Sequence, residues 1–314
     1  MASKKLWLIL SVALVLAAMA LTVAFAIRKS GQHFDQVRET HRLATLPARF
    51  TNSLGMIFNR VPQTETCFAI WKTRVQDFAA YAKATHLETN GWSIYCYGTN
   101  GWVALGDSWE NPGFAQTPTC PVCGVTWNDA MAFCDWLTKQ EHEAGDLHPQ
   151  LYYRLPSDDE WSAAVTSLKF PWGSQWPPLD NTANLAGVEN TNDVEFLHSL
   201  IKNYHDGFAR TSPVGTFPEN PRGLFDMAGN LQEWCSDWYR KEMNTPERLA
   251  KHGILNQDGG GQTYRLLRGS AWSDRDPGRI ASNTRFGWSP QFRQATVGFR
   301  VVLALETNLP ALKN

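Results

Sequence analysis

The sequence predicts an α+β domain of low regular secondary structure behind a single N-terminal transmembrane helix. Three observations carry this: an uninterrupted apolar run at the start, helix-opening caps confined to the first half of the remaining chain, and a second half rich in Pro, Gly, Asn and aromatic residues with only brief strands.

The apolar run, Leu6 to Ile27, contains only Ser11 and Thr22 as polar members and is long enough to cross a bilayer as a helix. Lys4 and Lys5 precede it, as in a signal-anchor. Ala24-Phe25-Ala26 offers a cleavage site, but the apolar region of a cleaved signal peptide is normally only about 7–15 residues. An anchor is therefore the expected form. Arg28, Lys29, Arg38 and Arg42 nearly balance the lysines in front, so the positive-inside rule does not orient the span. A lone N-terminal span before a globular domain is most simply an export signal, which puts the domain on the periplasmic or extracellular side. The expected divisions are a flank at 1–5, the anchor at 6–27, a polar linker at 28–47, a folded domain at 48–304 and a tail at 305–314.

A formal net charge of −1 over 314 residues gives no basic stripe, which excludes nucleic acid as the expected partner. Fourteen tryptophans imply a core built from large rings whose indole N–H groups need acceptors. The six cysteines are Cys67, Cys96, Cys120, Cys123, Cys134 and Cys235. Cys120-Pro121-Val122-Cys123 is a CxxC without a βαβ context or a second pair for zinc. It reads as two semi-buried thiols, or as one local disulfide in an exported domain.

Two helices announce themselves through their caps. Thr126 and Asp129 form one N-cap and N3 pair, after which Ala130, Phe133, Cys134 and Leu137 recur at helical spacing. Ser157 and Glu160, just after Pro156, open a second helix, with Trp161 and Ala164 on one face. A third, shorter helix is expected from Val75 to Ala84, with Phe78, Tyr81 and Ala82 inward. Beyond residue 165 only Leu231–Trp234 and Phe299–Ala304 stand out as strands. Loops this long are uncommon in a compact domain unless something else, such as a metal ion, orders them.

Several ordered motifs resemble the formylglycine-generating enzyme, or sulfatase-modifying factor, family. They include Phe68–Phe78, Pro121–Ala130, Tyr153–Trp161, Phe170-Pro171-Trp172-Gly173, Thr211–Gly215 and Gly223–Asn230. The series continues through Gly229-Asn230-Leu231-Gln232-Glu233-Trp234, Arg268-Gly269-Ser270-Ala271-Trp272 and Val297-Gly298-Phe299-Arg300. The resemblance covers about residues 48–304 and implies a fold related to C-type lectins, with a small antiparallel sheet and flanking helices.

Calcium takes six to eight oxygen ligands from carboxylates and bent-loop carbonyls. Asp226 and Glu233 flank a Gly-Asn turn that offers such a set. The resemblance implies a structural calcium held by the side chains of Asp226 and Glu233 and the carbonyls of Gly229 and Leu231. It implies a second site at Asn184, Leu185, Asp206 and Phe208. On the residues alone, turn caps and ion pairs with arginines such as Arg268 or Arg300 are the favoured roles for these acids.

The resemblance argues against the family's best-known reaction. Oxidation of a substrate cysteine to formylglycine uses copper held by a thiolate pair between the Gly-Ser motif and the final Gly-Phe-Arg. This chain has no cysteine or histidine from Gly269 to Arg300, and aspartate and arginine cannot replace thiolates around Cu(I). The sulfoxide synthases that share the fold add a helical three-histidine iron domain, and the eight histidines here contain no HxxxH. Neither copper nor iron is expected. In the same region Trp272, Asp274, Arg275, Asn283, Arg285, Trp288, Phe292 and Arg293 mix rings with charges, the composition of a recognition patch. They are the expected groove for a protein segment or a small ligand, with a core role for Trp272 and an ion-pair role for Arg285 left open. The alternative is an oxidoreductase, either a formylglycine generator using other thiols or another metal-dependent oxidase.

Overall fold

The first sheet is closed by the end of the chain. In the computed structural model, which describes residues 46–98, 101–190, 200–240, 243 and 263–306, three strands come from the start of the domain: β1 (Arg49–Thr51), β2 (Ile57–Arg60) and β3 (Thr66–Ala69). β6 (Leu151–Arg154) and β11 (Val302–Leu305) complete a five-stranded sheet of order β1-β2-β3-β11-β6. β11 is antiparallel to both neighbours, with Val302 opposite Phe68 on one side and Arg154 on the other. A strand paired on both edges is buried on both, and Val302, Leu303 and Ala304 are fully enclosed.

Two helices lie where the caps predict, and the third lies where the inward residues place it. α1 (Val75–Thr85) begins with a reciprocal contact between Arg74 and Asp77, and Phe78 and Tyr81 face inward. α2 (Trp127–Ala144) opens with the Thr126/Asp129 capping box, and Gly145 ends it in the left-handed region at φ 77°. α3 (Asp158–Val165) opens with the Ser157/Glu160 box. Each box satisfies N–H groups that the helix itself leaves open, typically worth about 1 kcal/mol.

A two-stranded hairpin, β4 (Ile94–Gly98) and β5 (Gly101–Gly106), precedes α2. The second half contributes a four-stranded sheet of order β10-β7-β8-β9: β7 (Gln232–Trp238), β8 (Arg265–Arg268), β9 (Arg285–Trp288) and β10 (Val297–Phe299). Here the expected strand Phe299–Ala304 divides into two. β10 pairs parallel to β7 in the second sheet, and only Arg300 and Val301 separate it from β11 in the first. A one-turn helix, α4 (Pro277–Ile280), capped by Asp276, lies between β8 and β9.

Irregular chain is ordered by close backbone approach and by buried rings. Gly229 sits at φ 77°, where a Cβ would stand 2.2 Å from the carbonyl oxygen of Asn184, so only glycine lets these two loops touch. Three indole N–H groups reach backbone carbonyls, while Trp71 Nε1 is buried without a partner. Trp127 donates to the Cys235 carbonyl at 2.9 Å, Trp234 to Val125 at 3.1 Å and Trp272 to Ala295 at 3.3 Å. Each spans a long stretch of sequence, so rings and their polar tips knit the loop-built half together.

Leu46 is already buried and Glu306 donates its N–H to the Gln150 carbonyl, so the ordered chain extends slightly past 48–304 at both ends. The expected transmembrane run at 6–27 and residues 28–45 of the linker lie outside the described residues. Among the described residues, no helix is long and apolar enough to cross a membrane.

Candidate functional site

The two sheets meet at a buried ion cluster. Glu233 of β7 is enclosed between them and completely shielded from solvent. Its Oε1 accepts from Lys72 Nζ at 2.6 Å and Arg300 Nη2 at 2.9 Å, and its Oε2 from Trp161 Nε1 at 3.0 Å. Arg300 also donates to the carbonyls of Ala69 (3.0 Å) and Phe225 (2.7 Å). Lys72 Nζ makes a short contact with the Asp226 carbonyl oxygen. Burial opposes both charges. It lowers Lys72, and on Glu233 it is outweighed by the nearby Arg300 and Lys72 charges, which hold the carboxyl down at about 2.

This arrangement bears directly on the first calcium expectation, and the residues present do not fit the ion. The Lys72 ammonium stands between Glu233 and the Asp226 backbone, and both Glu233 oxygens are taken. Asp226 Oδ2 accepts from the Gly215 N–H at 3.0 Å, which leaves only its Oδ1 without a partner. Two cations already balance the two buried carboxylates, so a divalent ion would leave an uncompensated positive charge in a dry interior. Lys72 was missed from the sequence. Its one signal is its position: a lone charged residue closing the apolar run Phe68-Ala69-Ile70-Trp71.

The second expected calcium position differs. Asn184 is fully buried, its Nδ2 donates to the Arg210 carbonyl at 2.7 Å, and its Oδ1 has no partner. Asp206 is buried beside it and accepts only backbone N–H groups, from Leu185 (2.7 Å) and Phe208 (2.8 Å). Burial, reinforced by the neighbouring Glu189 charge, pushes the Asp206 carboxyl up to about 7. Glu189 Oε2 is likewise buried without a partner. An orphaned amide oxygen beside two undercompensated carboxylates is a donor set that fits a hard cation.

The eight residues expected to form one groove fall into three places. Trp272 is fully buried and Asp274 nearly so. Trp272 packs with Cys96, Cys123 and Leu231, beneath the Arg210 guanidinium at 4.5 Å. It is core rather than groove, because its ring fills the space between the hairpin and the β7 loop. Asp274 accepts from Arg279 Nε at 2.7 Å and from the Ala271 N–H at 2.9 Å. The pair clasps the segment after Ser270, and Arg275 lies within that clasped stretch.

Asn283 and Arg285 line a cleft at the end of α3. Trp288, Phe292 and Arg293 join the hairpin. Trp102 meets Phe292 at 4.9 Å and Trp288 at 5.2 Å between ring centroids, Tyr95 stacks on Phe292 at 5.4 Å, and Tyr97 meets Trp102 at 5.2 Å. Tyr97 and Trp102 are 49% and 38% exposed, so this is an open aromatic face. Arg293 lies 3.3 Å above the Trp92 ring and pairs with Asp129. The hairpin's contribution was not legible, because residues 94–106 reach this face only through tertiary packing.

All six thiols are buried and none is in a disulfide. Burial pushes Cys67 up to about 11, and it pushes Cys123, Cys134 and Cys235 well above the ordinary thiol range. Cys96 and Cys120 lie close enough to Cys123 to raise it further, but beneath the surface. Among the described residues, no three His, Cys, Asp or Glu side chains gather in one cluster.

An antiparallel sheet and a mixed sheet, flanked by helices and joined through a buried ion cluster, form the frame of this domain. The sulfatase-modifying factor enzyme 1-like domain matches residues 45–305, and the chain belongs to that family. It is 31% identical over 204 residues to a formylglycine-generating enzyme of Thermomonospora curvata, covering 56% of this chain and 60% of that protein. It is 32% identical over 207 residues to the inactive C-alpha-formylglycine-generating enzyme 2 of Bos taurus, covering 61% of this chain and 54% of that one. The match thus spans a little over half the length of these relatives. The fold is also that of PvdO from Pseudomonas aeruginosa, with a TM-score of 0.57 at 21% identity over 83% of this chain and all of the other.

Lys72→Ala leaves Glu233 with one cation fewer, and removing one partner of a buried pair typically costs about 3–5 kcal/mol. The expected outcome in thermal denaturation is a large fall in Tm that millimolar calcium partly reverses, because the vacated position is lined by Glu233 and Asp226. Wild type and Lys72→Ala responding equally to calcium would show that the ammonium does not occupy an ion position.

Proposed function

We propose that this chain is a membrane-anchored, extracytoplasmic binding module of the sulfatase-modifying factor family that does not convert cysteine to formylglycine. The observation that carries the reading is the segment from Gly269 to Arg300, which has no thiol and is clasped by the Asp274–Arg279 pair. The thiols elsewhere are all buried, so none offers a thiolate to copper at an accessible surface. The similarity to a relative named as inactive supports the same reading. Incubation of the purified protein with a Cys-x-Pro-x-Arg peptide, copper and oxygen is expected to yield no aldehyde by mass spectrometry. Aldehyde formation would make the chain an oxidoreductase and end this reading.

Binding is assigned to the aromatic face of Tyr95, Tyr97, Trp102, Trp288 and Phe292. Exposed, mutually packed rings offer large contact area at little entropy cost, and truncating such an anchor commonly weakens binding by about 2 kcal/mol or more. Peptides selected from a display library on the wild-type domain should bind Trp102→Ala at least about tenfold more weakly. Equal binding to both would remove the face as the recognition surface.

Calcium is proposed at Asn184, Leu185, Asp206 and Phe208, where it would supply charge and coordination that tie the 184–189 and 205–208 loops together, with no part in chemistry. Chelator should lower the Tm of wild type and leave that of Asn184→Ala unchanged. A wild-type Tm indifferent to both chelator and added calcium would dismiss the ion.

A further inference from the structure

A cleft of about 850 Å³ opens at the C-terminal end of α3, away from the aromatic face. Its walls carry Lys169, Arg222, Arg268 and Arg285, and among the described residues no carboxylate lines it. Beneath these walls Asp158 Oδ2 accepts from Arg285 Nε at 2.8 Å and Asp158 Oδ1 pairs with Arg268. One carboxylate against two guanidiniums leaves a positive surplus. Neither Lys169 nor Arg222 makes an ion pair with a described residue, so both add to it.

The cleft also carries hydrogen-bond capacity that the protein does not use. Ser282 Oγ, Thr166 Oγ1 and Arg222 Nε are buried without partners, and all three residues line the cleft. Buried polar groups are otherwise almost always satisfied, so three unpartnered groups on residues that line one cavity leave hydrogen-bond capacity beside it. Thr166 is held at φ 76°, ψ 174°, a region normally open only to glycine. Such strain persists where surrounding structure enforces it, and it gathers at binding sites.

The end of α3 lines the same cleft, and the carbonyls of a helix C-terminus repel anions. That opposition is reduced here, because Asn220 Nδ2 donates to the Ala164 carbonyl at 2.9 Å. Several cations outweigh the partial charge of one short helix end.

We propose that this cleft binds a tetrahedral oxyanion, phosphate or sulfate, carried free or as an ester on a small ligand. Guanidinium and ammonium groups supply the charge, and the orphaned hydroxyls of Ser282 and Thr166 donate to the remaining oxygens. The volume lies within the range of about 300–1,000 Å³ usual for small-molecule sites, larger than the ion alone needs.

The full chain in detergent is titrated with inorganic phosphate and sulfate, against chloride at equal ionic strength, by calorimetry and thermal denaturation. Wild type is expected to bind an oxyanion saturably with a rise in Tm. The Lys169→Gln/Arg222→Gln variant should bind at least about tenfold more weakly while keeping the wild-type Tm in chloride. Phenyl phosphate binding more tightly than inorganic phosphate would assign the ligand to the ester class; equal binding would assign the free ion. No saturable response in wild type, or equal affinity in wild type and the double variant, overturns the proposal. Should the double variant lose stability in chloride, Ser282→Ala provides an uncharged test. A drop of about threefold in affinity is expected, and an unchanged affinity overturns the proposal.

Discussion

Most of this structure depends on the enclosure of one carboxylate. Glu233 accepts from Lys72, Arg300 and Trp161, which come from the end of β3, the crossover between the sheets and α3. The same Arg300 satisfies carbonyls at Ala69 and Phe225. A charge buried this deeply is tolerated only when its partners are in place, so the cluster couples the first strands, α3, β7 and the last crossover. No single element can shift without exposing an unpaired charge. In a domain with so little regular hydrogen bonding, this coupling replaces the cohesion that longer strands supply elsewhere.

The same enclosure separates two positions that the family resemblance treats alike. At Asp226 and Glu233 the protein supplies its own cations, and the charge balance is complete without a metal. At Asn184 and Asp206 the carboxylate meets only backbone N–H groups and an amide oxygen is left orphaned. One loop junction therefore carries its own cations, and the other leaves an amide oxygen unpartnered. The cleft at the end of α3 is of opposite sign, with surplus guanidinium and ammonium groups and unsatisfied donors. Three neighbourhoods thus differ in which charge they lack.

The region that carries thiols in cysteine-oxidising relatives has been rebuilt as structure. Trp272 is core, Asp274 and Arg279 clasp the loop, and Arg285 shares Asp158 with Arg268. Of the expected patch, Trp288 and Phe292 join rings of the β4–β5 hairpin in an open aromatic surface, while Asn283 and Arg285 line the cleft at the end of α3. Residue composition marked this stretch as a recognition patch, because rings and charges together are the composition of such patches. It could not divide core from clasp from surface, since a tryptophan's type does not reveal which side of a sheet it faces.

What the sequence alone determined is local or a matter of inventory. Thr126 with Asp129 and Ser157 with Glu160 started helices where they should, because a cap and its N–H lie within three residues. The absence of cysteine from 269 to 300 needed only counting, and the ordered motifs named the family. Tertiary structure decided which side chains meet. Lys72 reaches Glu233 across 161 positions of sequence, and that contact places an ammonium beside the carboxylate. The strand expected at 299–304 broke in two for a similar reason, because Arg300 must turn into the ion cluster while its neighbours pair with different sheets. Charge compensation acts over a few ångströms of space, and the chain's linear order does not encode that distance.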